Sequence, residues 1–323
     1  MRNGKTVWLP YRPSQIHGLP DGLSYAYWDG SGHLPGDPGD VGFLVGPPVP
    51  GAERVLAEVL PRMRRLEVLQ LLSSGHDHMT PLLGTLPPGT RLATGRGVHR
   101  EATAELAVTL LLALCRGLDR FGAGQAAGEW RPEFRSTLVG KRVLVIGYGA
   151  VGSSVAARLG AFRCEAVLVA RTARTTPAGP VYGTEDLPGL LPTADAVVLC
   201  APLTDQTRGM FGAEALARLK DGALLVNVAR GELVDTGALV HEVRAGRLRA
   251  ALDVTEPEPL PSGHPLWRLP GVLITPHVAA FTDAFSPMSA HFLGQQLRRY
   301  RRGEELENVV VTTTQTASGA EAA

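Results

Sequence analysis

Val143-Leu-Val-Ile-Gly147-Tyr-Gly149-Ala-Val-Gly152 is an apolar run that stops at a glycine, continues as G-x-G-x-x-G and leads into a helix-forming stretch, Ser153 to Leu159. The bare spacing means little, because a chain of 323 residues with 38 glycines should contain it about 0.5 times by chance. Its context means more. A strand ending at the first glycine turns tightly, the second lets backbone N–H groups approach a pyrophosphate, and the third lets helix and strand pack closely. The N-terminus of the helix then faces the anion. Gly147, Tyr148, Gly149, Ala150, Val151 and Gly152 are therefore the expected phosphate-binding turn of a dinucleotide site. The next apolar run ends Val167-Leu-Val-Ala170-Arg171-Thr172-Ala173-Arg174, where an NAD site would present an acid to the ribose diol. No carboxylate stands there. Ala170, Arg171, Thr172 and Arg174 instead suit a 2′-phosphate, so NADP(H) is expected in preference to NAD(H).

Working outward, short Val/Leu/Ile runs alternate with helix-length stretches: Thr6 to Leu9, Gly42 to Val45, Val68 to Leu72, Val143 to Ile146, Ala166 to Val169, Ala196 to Leu199, Leu224 to Val228, Ala250 to Val254 and Val272 to Ile274. That alternation predicts an α/β fold with parallel sheets. The length suits two domains at roughly 100 to 200 residues each. Asp29 to Gly51 reads as a Gly/Pro-rich surface loop and Ala102 to Cys115 as an apolar helix. Gly122 to Gly128 reads as a linker at the domain crossover. A second helix is expected over Phe285 to Arg301, with Gly303 as its C-cap and Arg298, Arg299, Arg301 and Arg302 complementing its dipole. The tail from residue 311 to Ala323 is small and polar and is expected to be disordered.

Composition removes several function classes. With 32 Lys+Arg against 31 Asp+Glu the net charge is +1, so no global field attracts nucleic acid or an anionic membrane. Leu106 to Cys115, the longest apolar stretch, is half of the roughly 20 residues a bilayer span needs, and Met1 to Pro10 shows no secretory h-region. Cys115, Cys164 and Cys200 are odd in number and in no metal-ligand spacing, which predicts a reducing, cytoplasmic setting.

Three further segments each follow a predicted strand: Asn227-Val-Ala-Arg230-Gly231, Leu252-Asp253-Val-Thr-Glu256-Pro-Glu258-Pro259 and Thr275-Pro276-His277. Each falls where the carboxyl ends of a parallel sheet line a ligand crevice. With Ala104-Glu-Leu-Ala107, Leu138-Val-Gly-Lys141 and Ala201-Pro-Leu-Thr-Asp-Gln-Thr207, the chain from about Leu69 to Val310 resembles the D-isomer-specific 2-hydroxyacid dehydrogenases. The resemblance implies a Rossmann dinucleotide-binding domain (102–281) inserted into a flavodoxin-like substrate domain (1–101, with a returning helix at 282–310). It implies that Arg230 binds the substrate carboxylate and carbonyl, that His277 is the acid/base and that Glu258 is its partner. Asp253 would lie near the nicotinamide carboxamide, and Ala201, Pro202, Thr207, Val228 and Ala229 would line the cofactor. Ser74, Gly75 and His76, in a loop of the other domain, would meet the substrate carboxylate.

The chemistry independently favours these residue types. Reducing a 2-keto acid requires a proton for the developing alkoxide, and imidazole titrates in the right range. A carboxylate beside it favours the imidazolium, and a guanidinium matches a carboxylate in shape and charge. Glu256 stands two residues from Glu258, and the family register selects Glu258. His99 and Arg100 either face an anionic substrate tail or are surface residues at a helix start. The resemblance implies NADPH-dependent reduction of a small 2-keto acid such as glyoxylate or hydroxypyruvate, and a homodimer joined through the dinucleotide domains; the Ala104 to Cys115 helix suits either that contact or ordinary burial. A dehydrogenase for a larger or phosphorylated 2-hydroxy acid is an alternative. So is a dinucleotide-sensing, corepressor-like protein without turnover.

Overall fold

The structure is a computed structural model and describes residues 5–49 and 51–314. The chain forms two compact units, one built from the residues up to His99 and from Asp283 onward, the other from Arg100–Thr282. The first unit holds β1 (Lys5–Leu9), β2 (Leu23–Tyr27), β3 (Val41–Val45), β4 (Val68–Gln70) and β5 (Arg91–Ala93). The second holds β6 (Arg142–Ile146), β7 (Glu165–Val169), β8 (Arg174–Thr176), β9 (Gly179–Tyr182), β10 (Ala196–Leu199), β11 (Ala223–Asn227), β12 (Leu248–Leu252) and β13 (Val272–Ile274). The chain returns to the first unit for β14 (Val309–Thr312). The principal helices are α1 (Ala52–Val59), α2 (Arg100–Arg116), α3 (Leu118–Ala127), α4 (Ala150–Leu159), α5 (Leu187–Leu190), α6 (Ala213–Ala217), α7 (Thr236–Arg244) and α8 (Phe285–Arg302).

In the second unit the sheet order is β13-β12-β11-β10-β6-β7-β9-β8. The ladder is parallel up to β9, and β8 closes the edge as an antiparallel hairpin. Strand order reverses between β6 and β10, which is where an open parallel sheet leaves a crevice for a dinucleotide. The strands read as unbroken apolar runs because both faces are covered. Leu144, Ile146, Val197, Leu199 and Leu225 pack on one side, while Val143, Val145, Val198 and Val226 pack on the other against Ala104, Ala107, Leu111 and Leu114 of α2. The apolar side of α2 is thus used within its own unit.

The first unit has the order β14-β5-β4-β3-β1-β2, a flavodoxin-like parallel sheet with one antiparallel edge. Its layers follow from side-chain alternation. Trp8, Leu44, Leu69 and Leu92 bury against Leu56 and Val59 of α1, and Val7, Leu9, Phe43 and Val45 bury against Leu293, Leu297 and Tyr300 of α8.

Four expectations need correction. Gly122 to Gly128 is no linker: residues 118–127 are helical, and the chain passes between units at His99–Arg100. Gly122 and Gly124 weaken a helix by about 1 kcal/mol each relative to Ala, but the Gly128 amide closes its last turn on Gln125 and Gly124, and Asp119 is ion-paired to Arg249. Within the Gly/Pro-rich stretch from Asp29 to Gly51 the loop reading gives way to β3, the strand expected over Gly42 to Val45, whose Val-Gly-Phe-Leu-Val core outweighs its flanks. The tail is ordered through its first residues, since β14 pairs with β5 and the Thr313 hydroxyl donates to the Pro87 carbonyl. The remainder of that expectation, residues 315–323, lies outside the described residues. Finally, β2, β8 and β14 are edge strands, β5 is only three residues long and β9 is four residues opened by Gly179-Pro180, so none has the apolar run that signals a buried strand.

Candidate active site

The phosphate turn starts where β6 ends. Gly147 sits at φ 100°, and a Cβ there would lie 2.5 Å from the Ala201 amide nitrogen. A Cβ on Gly152 would lie 1.9 Å from the Gly147 carbonyl oxygen. Both glycines are therefore demanded by the protein's own backbone. The second one is not, since the space a Cβ would take at Gly149 is open. Gly149 caps α4 without a side-chain hydrogen bond, and the first turn carries no acid. Unsatisfied N–H groups, the positive helix end and an open glycine face fit a bound pyrophosphate.

At the end of β7, Ala170 is half-buried while Arg171 and Thr172 are exposed. Arg174 opens β8, stacks its guanidinium 5.9 Å from the Tyr148 ring centroid and donates to the Tyr148 carbonyl at 3.2 Å. Across the strand-order reversal, Thr207 ties the 201–207 loop together by donating to the Pro202 carbonyl at 2.7 Å. Val228 and Ala229 follow β11, both nearly buried.

His277 and Glu258 meet directly, Nδ1 to Oε1, at 2.6 Å. With Nδ1 engaged, Nε2 is the ring nitrogen that can exchange a proton with a ligand. Burial pushes the Glu258 carboxyl up, but its hydrogen bond to His277, the His277 charge, a backbone hydrogen bond at Thr255 and the Arg230 charge together hold it below the usual value. Glu256 is exposed, and its backbone carbonyl accepts from the Thr236 hydroxyl at 2.7 Å. Of the two acids, only Glu258 reaches the imidazole.

Arg230 follows β11 on a turn that fits closely against the Glu258 loop. A Cβ on Gly231 would fall 2.0 Å from the Thr255 carbonyl oxygen. One Arg230 Nη1–H donates to the Ala229 carbonyl at 2.6 Å.

Asp253, 2% exposed, follows the last residue of β12, and its carboxylate is tied to the turn after β13. Its carboxylate accepts from the Thr275 hydroxyl (2.6 Å), the Val278 amide (3.0 Å) and the Ala279 amide (3.1 Å). Asn227 is 1% exposed and has no role in the sequence reading. Its Oδ1 accepts from the Ala229 amide (3.0 Å), and its Nδ2 donates to the Arg230 carbonyl (2.8 Å). The available signal was a polar residue closing an apolar strand one step before the motif.

In the first unit, Ser74, Gly75 and His76 follow β4, and their amides make no backbone hydrogen bond among the described residues. His99 is a core residue. It is 6% exposed, stacks on Phe285 with centroids 4.4 Å apart, and burial lowers its pKa despite a backbone hydrogen bond at Leu72. Arg100 is exposed and pairs with Glu101 at 2.9 Å. The arginines of α8 serve the fold: Arg298 donates to the Gly18 carbonyl, Arg301 to the Asp21 carbonyl, and Arg299 pairs with Glu307. Gly303 closes that helix at φ 70°. Burial pushes the Cys200 thiol up to about 12, which disfavours the thiolate. Among the described residues, no helix is long and apolar enough to cross a membrane.

The chain is similar to known proteins along most of its length. Residues 108–279 match the family model for the D-isomer specific 2-hydroxyacid dehydrogenase, NAD binding domain. D-3-phosphoglycerate dehydrogenase of Methanocaldococcus jannaschii is 33% identical over 265 residues, which cover 80% of this chain but only 50% of that longer protein. Glyoxylate reductase of Thermofilum pendens is 33% identical over 265 residues, covering 78% of this chain and 77% of the relative. A crystal structure of a D-isomer specific 2-hydroxyacid dehydrogenase from Xanthobacter autotrophicus Py2, in complex with NADPH and MES, superimposes with a TM-score of 0.78 at 31% identity. It covers 96% of this chain and 98% of its own.

The lowered pKa of Glu258 has a consequence for stability. A carboxyl whose folded value lies below its unfolded one stabilises the fold above the ordinary carboxylate range and loses that contribution as the pH falls through it. Because the pair is about half exposed, the contribution is expected to be no more than about 1 kcal/mol. The Tm gap between wild type and Glu258→Gln should be largest near neutral pH and close on titration below 4.5, the ordinary value for this side chain. A gap independent of pH in calorimetry would contradict the pairing.

Proposed function

The chain belongs to the D-isomer specific 2-hydroxyacid dehydrogenases, and on that premise we propose that it reduces a small 2-keto acid to the D-2-hydroxy acid, with NADPH as the preferred reductant. The observation that carries this reading is the 2.6 Å His277–Glu258 pair, one ring nitrogen held and the other open, in the same unit as Arg230 and a backbone built for a pyrophosphate. Glyoxylate and hydroxypyruvate are the default substrate class, supported by the likeness to a glyoxylate reductase.

In this reading Arg230 holds the substrate carboxylate and polarises the keto oxygen through its planar fork of donors. The reduced nicotinamide, when bound, would be the source of the hydride that the keto carbon needs. His277 delivers the proton from Nε2 to the resulting alkoxide, and Glu258 stabilises the imidazolium beforehand. The balance is keto acid, NADPH and one proton giving hydroxy acid and NADP⁺. Gly147, Gly149 and Gly152 with the amides of Ala150 and Val151 would hold the pyrophosphate, and the loops at Ala201–Thr207 and Val228–Ala229 would flank it. The free cysteines support a reducing, cytoplasmic setting.

A homodimer is the proposed working form. α2 offers little for the contact, since its apolar side chains serve its own core. Residues 118–139 support it better: Trp130 and Phe134 are 95% and 105% exposed, and α3 buries nothing. Two aromatics contribute ~150–250 Å² each, and by symmetry the pair would supply much of a standard interface. Trp130→Glu is expected to move the sedimentation coefficient from dimer toward monomer; a monomeric wild type would remove this part of the reading.

His277→Ala is expected to lower kcat by on the order of 10² to 10⁴ while leaving NADPH affinity within a few fold. In Glu258→Gln kcat should fall about tenfold or more with NADPH affinity unchanged, because Nδ1 loses the carboxylate that orients the ring. Retention of most activity in His277→Ala across a panel of 2-keto acids would sink the assignment.

Cofactor preference has its own test. Arg171 is exposed at the strand end, with no acid at position 170 to accept from a ribose diol or repel a 2′-phosphate. A charge-assisted hydrogen bond contributes about 1.5–3 kcal/mol, and about 1.4 kcal/mol is tenfold, so one good contact gives at least a tenfold preference for NADPH. Salt should weaken it by screening an exposed site. The measurement is kcat/KM with both cofactors, in wild type and in Arg171→Ala. Preference for NADH, or an unchanged NADPH efficiency in the variant, refutes the reading.

A further inference from the structure

Asn227 and Asp253 are the two polar side chains that close neighbouring strands: Asn227 is the last residue of β11, and Asp253 follows the last residue of β12. They are 1% and 2% exposed. Buried polar groups of this kind are costly unless their hydrogen bonds are made, so the destination of each bond indicates why the group is there. The Asn227 amide group is used at both ends, accepting from the Ala229 N–H and donating to the Arg230 carbonyl. The Asp253 carboxylate accepts from Thr275, Val278 and Ala279, and its own carbonyl accepts from the His277 amide at 2.8 Å. The two residues are themselves joined, since the Asp253 amide donates to the Asn227 carbonyl at 2.9 Å. Every one of these side-chain bonds therefore falls within two residues of Arg230 or His277.

His277 adopts φ 53°. That left-handed conformation is unfavourable for a residue with a Cβ and persists only where the surroundings impose it. The Asp253 bonds straddle it, one on the Thr275 side and two on the Val278–Ala279 side. The Asn227 bonds straddle the peptide between Ala229 and Arg230 in the same manner. A hydrophobic residue of similar size in either place would leave buried backbone groups unpaired at the turns carrying the guanidinium and the imidazole.

We propose that Asn227 and Asp253 form a positioning brace: Asn227 sets the backbone from which Arg230 reaches the substrate, Asp253 holds His277 in its left-handed turn, and the bond between them makes the two placements one unit. Both act through main chain, and the inference rests on the roles given above to Arg230 and His277.

Kinetics and amide hydrogen exchange on the full-length protein test it together. Asn227→Ala is expected to raise the 2-keto acid KM about tenfold or more with NADPH Kd within twofold, because misplacing a substrate-binding group by about 1 Å carries penalties of this order. Asp253→Asn should lower kcat by on the order of 10- to 100-fold with little change in keto-acid KM. Because Asn227 acts through Arg230, adding Asn227→Ala to Arg230→Ala should cost nothing more, whereas multiplying losses would show that it acts elsewhere. Exchange at the Ala229 amide should accelerate in Asn227→Ala, and at one of the Val278 and Ala279 amides in Asp253→Asn, where an NH2 replaces one of the two acceptor oxygens, with the strand interiors unchanged. Asn227→Asp, of equal size, keeps the acceptor for Ala229 but lacks the donor for Arg230. It should preserve protection at Ala229 and still raise the KM, and it serves if the alanine variant does not fold. Unchanged kinetics, or acceleration spread evenly over the unit, overturns the brace. If the wild type reduces no 2-keto acid, the functional reading fails instead, and local exchange still decides whether the brace exists.

Discussion

The parallel hydrogen-bond ladder of the second unit is the constraint on which the site depends. Its register pairs Ile146 with Leu199, Leu199 with Asn227, Asn227 with Leu252, and Leu252 with Ile274. Five strands thus end at one level, and the phosphate turn, the 201–207 loop, the Arg230 turn, the Glu258 loop and the His277 turn all emerge side by side. A slip of one residue in any of these strands would invert its faces and withdraw its motif. The register is held by cores on both faces, since Leu144, Ile146, Val197 and Leu199 cannot exchange places with Val143, Val145, Ala196 and Val198 without exposing both sets to the wrong layer.

Backbone fit then supplies a precision that side chains alone do not. Gly152 against the Gly147 carbonyl and Gly231 against the Thr255 carbonyl are two contacts in which main chain touches main chain. Such contacts admit no adjustment by rotamer. The first closes the helix onto its strand and exposes the orphan N–H groups of α4. The second places the Arg230 turn against the loop that carries Glu258, which is why the guanidinium contributes to holding that carboxyl in its charged form.

Charge is arranged locally on a chain that is nearly neutral as a whole. No acid stands at the end of β7 to accept from a ribose diol, and Arg171 is exposed there instead. A half-buried carboxylate is kept ionised by the imidazole it orients. Elsewhere, arginines that look like a cationic patch in sequence are absorbed by carbonyls and acids of the fold, as Arg298 and Arg301 are. Proximity in sequence therefore says little about which cations remain available to an anion.

Read alone, the sequence determined what depends on local pattern. Apolar strands bounded by glycine announce the doubly wound sheet because burial on both faces forces unbroken hydrophobic runs. The phosphate turn is legible because its first and third glycines are steric requirements, and α2 and α8 because their patterns are long. The Arg230, Glu258 and His277 segments were recognisable as motifs, although which of Glu256 and Glu258 meets the imidazole is a matter of loop path, and only the fold brings Nδ1 to one of them. Tertiary structure alone decided what depends on partners distant in the chain. Residues 118–127 are helical despite two glycines. Val309–Thr312 is a strand because β5 offers it an edge. His99 lies in the core because Phe285, nearly two hundred residues later, stacks on it. Asn227 and Asp253 acquire their roles in the same way, since a buried polar group is defined by the donors and acceptors that folding places around it, and these come from other strands and turns.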